Sequence, residues 1–171
     1  DRVAADRRLL APAWPRVEVV AGGVRRQDSV RAGVEAAARG GADVVLIHDA
    51  ARPAVDPADV QRLLSLPEDA DGLILVRTVA DTVKRVDASR RVVETLDRSA
   101  LRLALTPQVF RVRALELAWR RVDPDLLVTD EAALLEAAGL EVGVCEAESP
   151  NPKLTSRRDL VLIRALLGEP S

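Results

Sequence analysis

The chain has 171 residues, 48% hydrophobic and 30% charged, which fits one globular domain with a substantial core and excludes a disordered polypeptide. Its net charge of −2 argues against the broad basic face that nucleic acid or an anionic membrane requires, so basic groups that matter act locally. One cysteine, Cys145, and one histidine, His48, exclude an internal disulfide framework and a Cys/His zinc centre. No apolar run approaches the ~18 residues of a membrane span and nothing at the amino end reads as a signal peptide, which points to a cytoplasmic protein.

Asp1 to Pro15 reads as a helix end and a loop, and Val17–Val20 as a short strand running into the turn Gly22-Gly23. Asp28-Ser29 is expected to cap a helix with Val30, Gly33, Val34 and Ala37 on one face, closed by Gly40-Gly41. The β-branched run Val44–Ile47 is too short for a buried helix and predicts an interior strand of a parallel sheet, completing a βαβ unit. Asp56 then caps a helix with Pro57 in first position and Val60, Leu63 and Leu64 inward. Leu73–Val76 predicts a second buried strand.

The alternating segment from Val83 to Leu96, turning around Asp87-Ala88-Ser89, predicts a projecting hairpin arm. Such an arm carries little core and is marginal alone, which points to packing on a second subunit. Thr106–Phe110 reads as a short strand or turn entering a helix from Val112 to Val122, with Leu115 and Ala118-Trp119 inward. Thr129-Asp130-Glu131 starts a helix with Ala133-Leu134 and Ala137-Ala138 inward, its acids explained by the helix dipole. Val142–Cys145 is a final strand, and Ser156 with Asp159 makes a capping box for a helix from Arg157 to Leu167. Trp14, Phe110 and Trp119 read as core residues and Cys145 as a small buried hydrophobe.

His48-Asp49 falls at the carboxyl end of its strand, the edge where open α/β sheets bind ligands, and Arg52-Pro53 follows with a cation and a rigid turn. A strand-end carboxylate suits a divalent metal against phosphates, and Arg a bidentate phosphate grip; the lesser alternative is that the pair merely serve each other at a strand exit. His48 reads as a ring bonded at the strand end rather than a base. No G-x-S-x-G, H-E-x-x-H, G-x-G-x-x-G or Walker loop is present. The chain instead offers loop cations, Arg26, Arg52, Lys84, Arg98 and Lys153, the two lysines being its only ones, with the single strand-end carboxylate Asp49. That set suits transfer between phosphates, where the nucleophile is already anionic and the work is positioning and charge neutralisation.

Six ordered motifs are spread along the chain from Ala21 to Thr155: AGGVRRQDSVRAG from Ala21, HDAARP from His48, DTVKR from Asp81, TLDRSALRLALTPQVF from Thr95, TDEA from Thr129 and NPKLT from Asn151. Together they resemble the 2-C-methyl-D-erythritol 4-phosphate cytidylyltransferases of the non-mevalonate isoprenoid pathway. The resemblance implies an α/β, Rossmann-like, mostly parallel sheet with helices on both faces, of the nucleotide-diphospho-sugar transferase type. It implies a β-arm, residues 81–98, that reaches into the other subunit of a homodimer. Gly23 and Ser29 resemble contacts to the cytosine and ribose of CTP, with Arg26 in support, Ala50 against the nucleotide and Asp49 as the carboxylate holding magnesium. Arg52, Thr82, Arg98, Thr106 and Lys153 resemble the group around methylerythritol phosphate, with Lys153 and Arg98 as the catalytic cations.

The family opens with a strand and a glycine-rich loop that cradle the triphosphate, and neither is in this sequence. The first residue is not Met. The expectation is a single cytidylyltransferase domain, residues 1–171, lacking its amino-terminal portion and inactive alone, the function belonging to the complete protein. The alternatives are a ribitol 5-phosphate cytidylyltransferase and a noncatalytic nucleotide-binding domain.

Overall fold

The computed structural model describes residues 17–168; the helix end expected before Pro15, and Trp14, lie outside the described residues. The backbone divides into two compact units, one of the described residues up to Val45 with Arg111–Leu140, the other of Leu46–Phe110 with the described residues from Glu141 on.

In the first unit, Val17–Val20 is not a strand and joins neither sheet, so the expected βαβ unit is not completed from its amino side. Helix α1 (Arg26–Arg39) starts earlier than Asp28-Ser29 suggested. Its N-cap is Arg25, and Asp28 sits at the third helical position, where its carboxylate accepts from the Arg25 backbone N–H and guanidinium. Gly40 ends the helix as expected and Gly41 takes a positive φ of 85°, which glycine adopts without strain.

Helix α3 (Val112–Arg121) buries Leu115 and Ala118 as expected, whereas Trp119 is half-buried with Arg31 stacked 5.2 Å from its ring centroid. In helix α4 (Glu131–Ala137) the inward face is Glu131, Ala132, Leu134 and Leu135, so Leu134 is inward as expected, whereas Ala133 and Ala138 are half-buried and Ala137 is exposed. The helix has only seven residues, too few for periodicity to fix which face turns inward. Asp130 caps it by accepting from Ala133 N–H.

The second unit is built on a mixed sheet. Strand β1 (Val44–Ile47), whose first half belongs to the other unit, lies at one end of the order β1-β5-β2-β6. The interior position expected for it is corrected: among the described residues it is an edge strand, and Val44 is exposed. Helix α2 (Pro57–Leu64) starts at the expected Asp56 cap, which accepts from Ala58 N–H, and buries Leu63 completely. Leu64, expected inward, is 59% exposed, and Asp59 takes the buried position.

Strand β2 (Gly72–Thr78) pairs parallel with β6 (Val142–Glu146) and antiparallel with β5 (Arg102–Arg111). The expected α/β architecture is therefore realised with a mixed sheet. The antiparallel partner follows from the connection: β2 runs out into the hairpin of β3 (Lys84–Val86) and β4 (Val92–Thr95) and returns as β5, with no crossover helix between. β5 is also twice the length of the expected Thr106–Phe110 segment. The hairpin forms the expected arm as a separate two-stranded sheet, Arg90 taking φ 61° in its turn.

Leu63, Leu75, Leu105 and Val109 form a buried cluster with half-buried Cys145 packed against it. Helix α5 (Arg157–Leu166) starts at the expected Ser156–Asp159 capping box.

Gly72 lies opposite Phe110 in the β2–β5 register, and a Cβ there would meet the fully buried Phe110 ring at 2.4 Å. Gly72→Ala should destabilise the protein by about 1–3 kcal/mol through overpacking, read as a lower urea midpoint at unchanged slope. An unchanged midpoint would mean the ring has room to move.

Candidate active site

Three segments of the second unit converge where β1 ends. Asp49 lies just past the strand, and its backbone N–H donates to Thr106 Oγ1 on β5 (3.0 Å). Its carboxylate receives Lys153 Nζ (2.9 Å), and Arg52 Nε lies 3.8 Å from the same oxygen. Arg52 closes a turn by donating its backbone N–H to Asp49 O, and its Nη1 donates to Asn151 O (2.7 Å). Asn151, almost fully buried, donates through Nδ2 to Thr106 O (2.7 Å). Leu154 N–H donates to Ala51 O (2.7 Å), so the NPKLT loop is fastened to the HDAARP turn on both sides of Lys153. Ala50 sits exposed in that turn.

The site has one carboxylate and two cations around it. Burial pushes the Arg52 guanidinium below the usual arginine range; Asp49 acts against this shift and Arg77 adds to it. Arg52 Nε is buried without a hydrogen-bond partner, as is Asn151 Oδ1. Arg77 and Asn151 are the members that sequence reasoning missed as contributors. Asn151 stood in a motif, but only the fold shows that its amide links Arg52's loop to Thr106.

Of the expected second-substrate residues, Arg52, Thr106 and Lys153 come together around Asp49, while Thr82 and Arg98 stay at the arm. Arg98 starts a single 3-10 turn (Arg98–Ala100) and its Nη1 donates to Ala80 O at the arm's base. Asp97 caps that turn, and hydrogen bonds from the Ser99 amide and hydroxyl hold its carboxyl below the usual range. Lys84 donates to Thr95 Oγ1 across the hairpin (2.7 Å).

The expected CTP contacts Gly23, Arg26 and Ser29 belong to the first unit. Ser29 Oγ accepts from Gly23 N–H (3.0 Å), folding the glycine turn onto the start of α1. A Cβ at Gly23 would lie 2.3 Å from Asp28 Cβ, so only glycine allows that approach. Arg26 forms a bidentate pair with Glu131 (2.8 and 2.9 Å), whose carboxylate is 2% exposed. Glu131 is thus more than a helix-dipole acid. It clamps α1 to α4.

Among the described residues no group of three or more His, Cys, Asp and Glu side chains is placed to hold a metal. Asp49 supplies one hard carboxylate, the donor type that magnesium accepts alongside water and phosphate. No helix among the described residues is long and apolar enough to cross a membrane.

A mixed α/β sheet with a carboxylate and two cations gathered at a strand's carboxyl end is an arrangement suited to holding phosphate groups. The family model described as IspD, 2-C-methyl-D-erythritol 4-phosphate cytidylyltransferase, matches residues 1–169, and the chain belongs to that family. It is 44% identical over 161 residues to the 2-C-methyl-D-erythritol 4-phosphate cytidylyltransferase of Ectopseudomonas mendocina, covering 91% of this chain and 68% of that one. It is 44% identical over 154 residues to a bifunctional IspD/IspF enzyme of Nitrobacter hamburgensis, covering 86% of this chain but 38% of the relative's length. The crystal structure of the Thermus thermophilus cytidylyltransferase superposes with a TM-score of 0.74 at 35% identity, covering 86% of this chain and 71% of that one.

Two outcomes follow from this geometry. Removing one partner of a fully buried pair costs roughly 3–5 kcal/mol, and solvent at Arg26 screens part of this, so Glu131→Ala should cost about 2 kcal/mol in chemical denaturation. A cost near zero would mean that the pair holds nothing.

Asp159 Oδ2 accepts from the amides and hydroxyls of Thr155 and Ser156 (2.7–3.0 Å), anchoring the loop just after Lys153. These bonds, that of the Thr155 hydroxyl foremost, lower its pKa from 3.8 to about 2. The folded value lies below the unfolded one, so this anchor contributes fully above the usual carboxylate range and is lost as pH falls through about 2. Carboxyl-carbon NMR should show Asp159 titrating there, and Asp159→Asn should loosen the Thr155 and Ser156 amides at neutral pH.

Proposed function

We propose that this chain carries a cytidylyltransferase domain that joins CTP to 2-C-methyl-D-erythritol 4-phosphate, releasing pyrophosphate, as part of isoprenoid synthesis in the cytoplasm. The observation that carries the reading is the Asp49 cluster. Arg52 and Lys153 flank one carboxylate and leave a net positive charge, and the unmatched buried Nε of Arg52 is a donor that a phosphate oxygen would satisfy.

In the reaction an oxygen of the substrate phosphate attacks the α-phosphorus of CTP, forming a new P–O–P bond. The bond from the α-phosphorus to the bridging oxygen of the β-phosphate breaks, and that oxygen leaves with its electron pair on pyrophosphate. No proton need be removed from the nucleophile, so the reaction asks the chain for positioning and charge neutralisation. Arg52 and Lys153 hold the sugar phosphate and neutralise its charge, and Thr106 fixes the backbone from which Asp49 projects. Asp49 would hold magnesium, which when bound supplies charge neutralisation at the phosphates. Gly23, Arg26, Ser29 and Ala50 serve the nucleotide, Arg26 by bracing the helix that carries Ser29.

Thr82 and Arg98 serve the sugar phosphate from the arm, residues 81–98, which in this reading packs on a second copy of the chain. The half-exposed Val86, Val92 and Val93 on the hairpin support that packing.

The test is pyrophosphate release with CTP, magnesium and either methylerythritol phosphate or ribitol 5-phosphate, using the full-length protein. Turnover with methylerythritol phosphate is expected, at a rate well above that with ribitol 5-phosphate. Lys153→Ala should lower kcat/KM for the sugar phosphate about a hundredfold, about 2.7 kcal/mol of transition-state stabilisation, and Arg98→Ala should also act chiefly on sugar-phosphate use. Normal turnover by both variants would overturn the site assignment.

A further inference from the structure

His48 lies outside the set of residues assigned to either substrate, yet both of its ring nitrogens are engaged. Nε2 is 2.8 Å from Arg52 O, and Nδ1 is 3.1 Å from Thr106 Oγ1. A carbonyl oxygen can only accept, so Nε2 must carry a hydrogen. In the neutral ring Nδ1 is then an acceptor, and the Thr106 hydroxyl must donate to it.

The same hydroxyl oxygen accepts from Asp49 N–H. A directed chain results: Asp49 N–H to Thr106 Oγ, Thr106 O–H to His48 Nδ1, His48 Nε2–H to Arg52 O. It closes on itself through Arg52 Nη1 to Asn151 O and Asn151 Nδ2 to Thr106 O.

We propose that His48 is a positioning residue for sugar-phosphate binding, which in its Nε2–H form fixes the Thr106 hydroxyl and the Arg52 turn so that Arg52 and Asp49 face the substrate in one geometry. The proposal rests on the reading of Arg52 and Thr106 as second-substrate residues. It also changes what Thr106 does. The one hydroxyl hydrogen is committed to His48, so Thr106 in this state can accept from a polyol hydroxyl but cannot donate to a phosphate oxygen. The phosphate falls to Arg52 and Lys153.

The chain's single histidine gives an unambiguous nitrogen NMR signal for the first test. His48 should show a protonated Nε2 and a hydrogen-bonded, unprotonated Nδ1. The Nδ1 resonance should move in Thr106→Val, which has no hydroxyl, and stay in Thr106→Ser, which keeps it. A hydrogen on Nδ1, or an Nδ1 signal indifferent to Thr106→Val, would overturn the proposal.

The second test is kinetic. His48→Ala should raise KM for methylerythritol phosphate about tenfold while leaving KM for CTP within about twofold. His48→Gln, whose amide can donate to Arg52 O, and His48→Asn, whose amide oxygen can accept from Thr106, should each recover part of the loss. An unchanged KM in His48→Ala, or equal effects on both substrates, would overturn it. A wild-type protein that is folded but inert with both sugar phosphates would sink the functional reading instead, and the NMR result alone would then decide whether the histidine chain exists.

Discussion

The structure turns on one carboxylate held between two cations. Asp49 projects from the end of β1 toward Lys153 at 2.9 Å and Arg52 at 3.8 Å, so its single negative charge is outnumbered locally in a protein whose net charge is −2. Without Asp49 the two cations would repel each other across a half-buried space. With it they stand together and still carry an unbalanced positive charge, which is the condition for attracting a phosphate without a basic surface. The neighbouring backbone hydrogen bonds serve that arrangement. Thr106 fixes the Asp49 amide, Asn151 links Arg52 to β5, and Asp159 ties down the loop that delivers Lys153.

This dependence explains the shape of the sheet in the second unit. Thr106 lies four residues into a strand that could have run parallel to β2 only after a crossover. The chain instead turns back through the arm, so β5 returns directly beside β2 and brings Thr106 to the end of β1. The same connection places Phe110 over Gly72. One antiparallel strand therefore builds part of the core with its far end and orients the site with its middle.

Local chemistry was legible in the sequence wherever a short segment decides its own structure. Asp56 with Pro57, Ser156 with Asp159, and the turn between Val86 and Val92 each satisfy backbone groups within a few residues, and each is found where expected. Asp49, Arg52 and Lys153 were legible as a chemical set, though their meeting place depends on a fold that brings residues 104 positions apart into one ion pair. The misreadings share one cause. Leu64 and the face of α4 were assigned by hydrophobicity alone, whereas the structure buries Asp59 and Glu131 and leaves Leu64 in water. Arg26 satisfies Glu131 from 105 positions away, and no local pattern announces such a partner. Val17–Val20 has the composition of a strand, but composition alone does not decide whether a segment becomes one.

The arm shows the opposite case, a segment whose local structure was readable because so little else acts on it. Its register is held by backbone pairing, by Lys84 to Thr95 and by the exposed pair Arg85–Glu94, interactions that water and salt weaken. None of its strand residues is buried, and its three strand valines contribute nothing to the core around Leu75. Both ends are pinned, however, because Thr78 pairs with Arg102 at the close of β2 and the opening of β5. Holding the loop closed therefore costs little beyond what the sheet has already fixed, and the arm can be kept without stabilising the domain. In the proposed reading, a hairpin retained on those terms is maintained for what it touches on a second copy, with Arg98, bonded to Ala80 O at its base, bringing that contact to the chemistry.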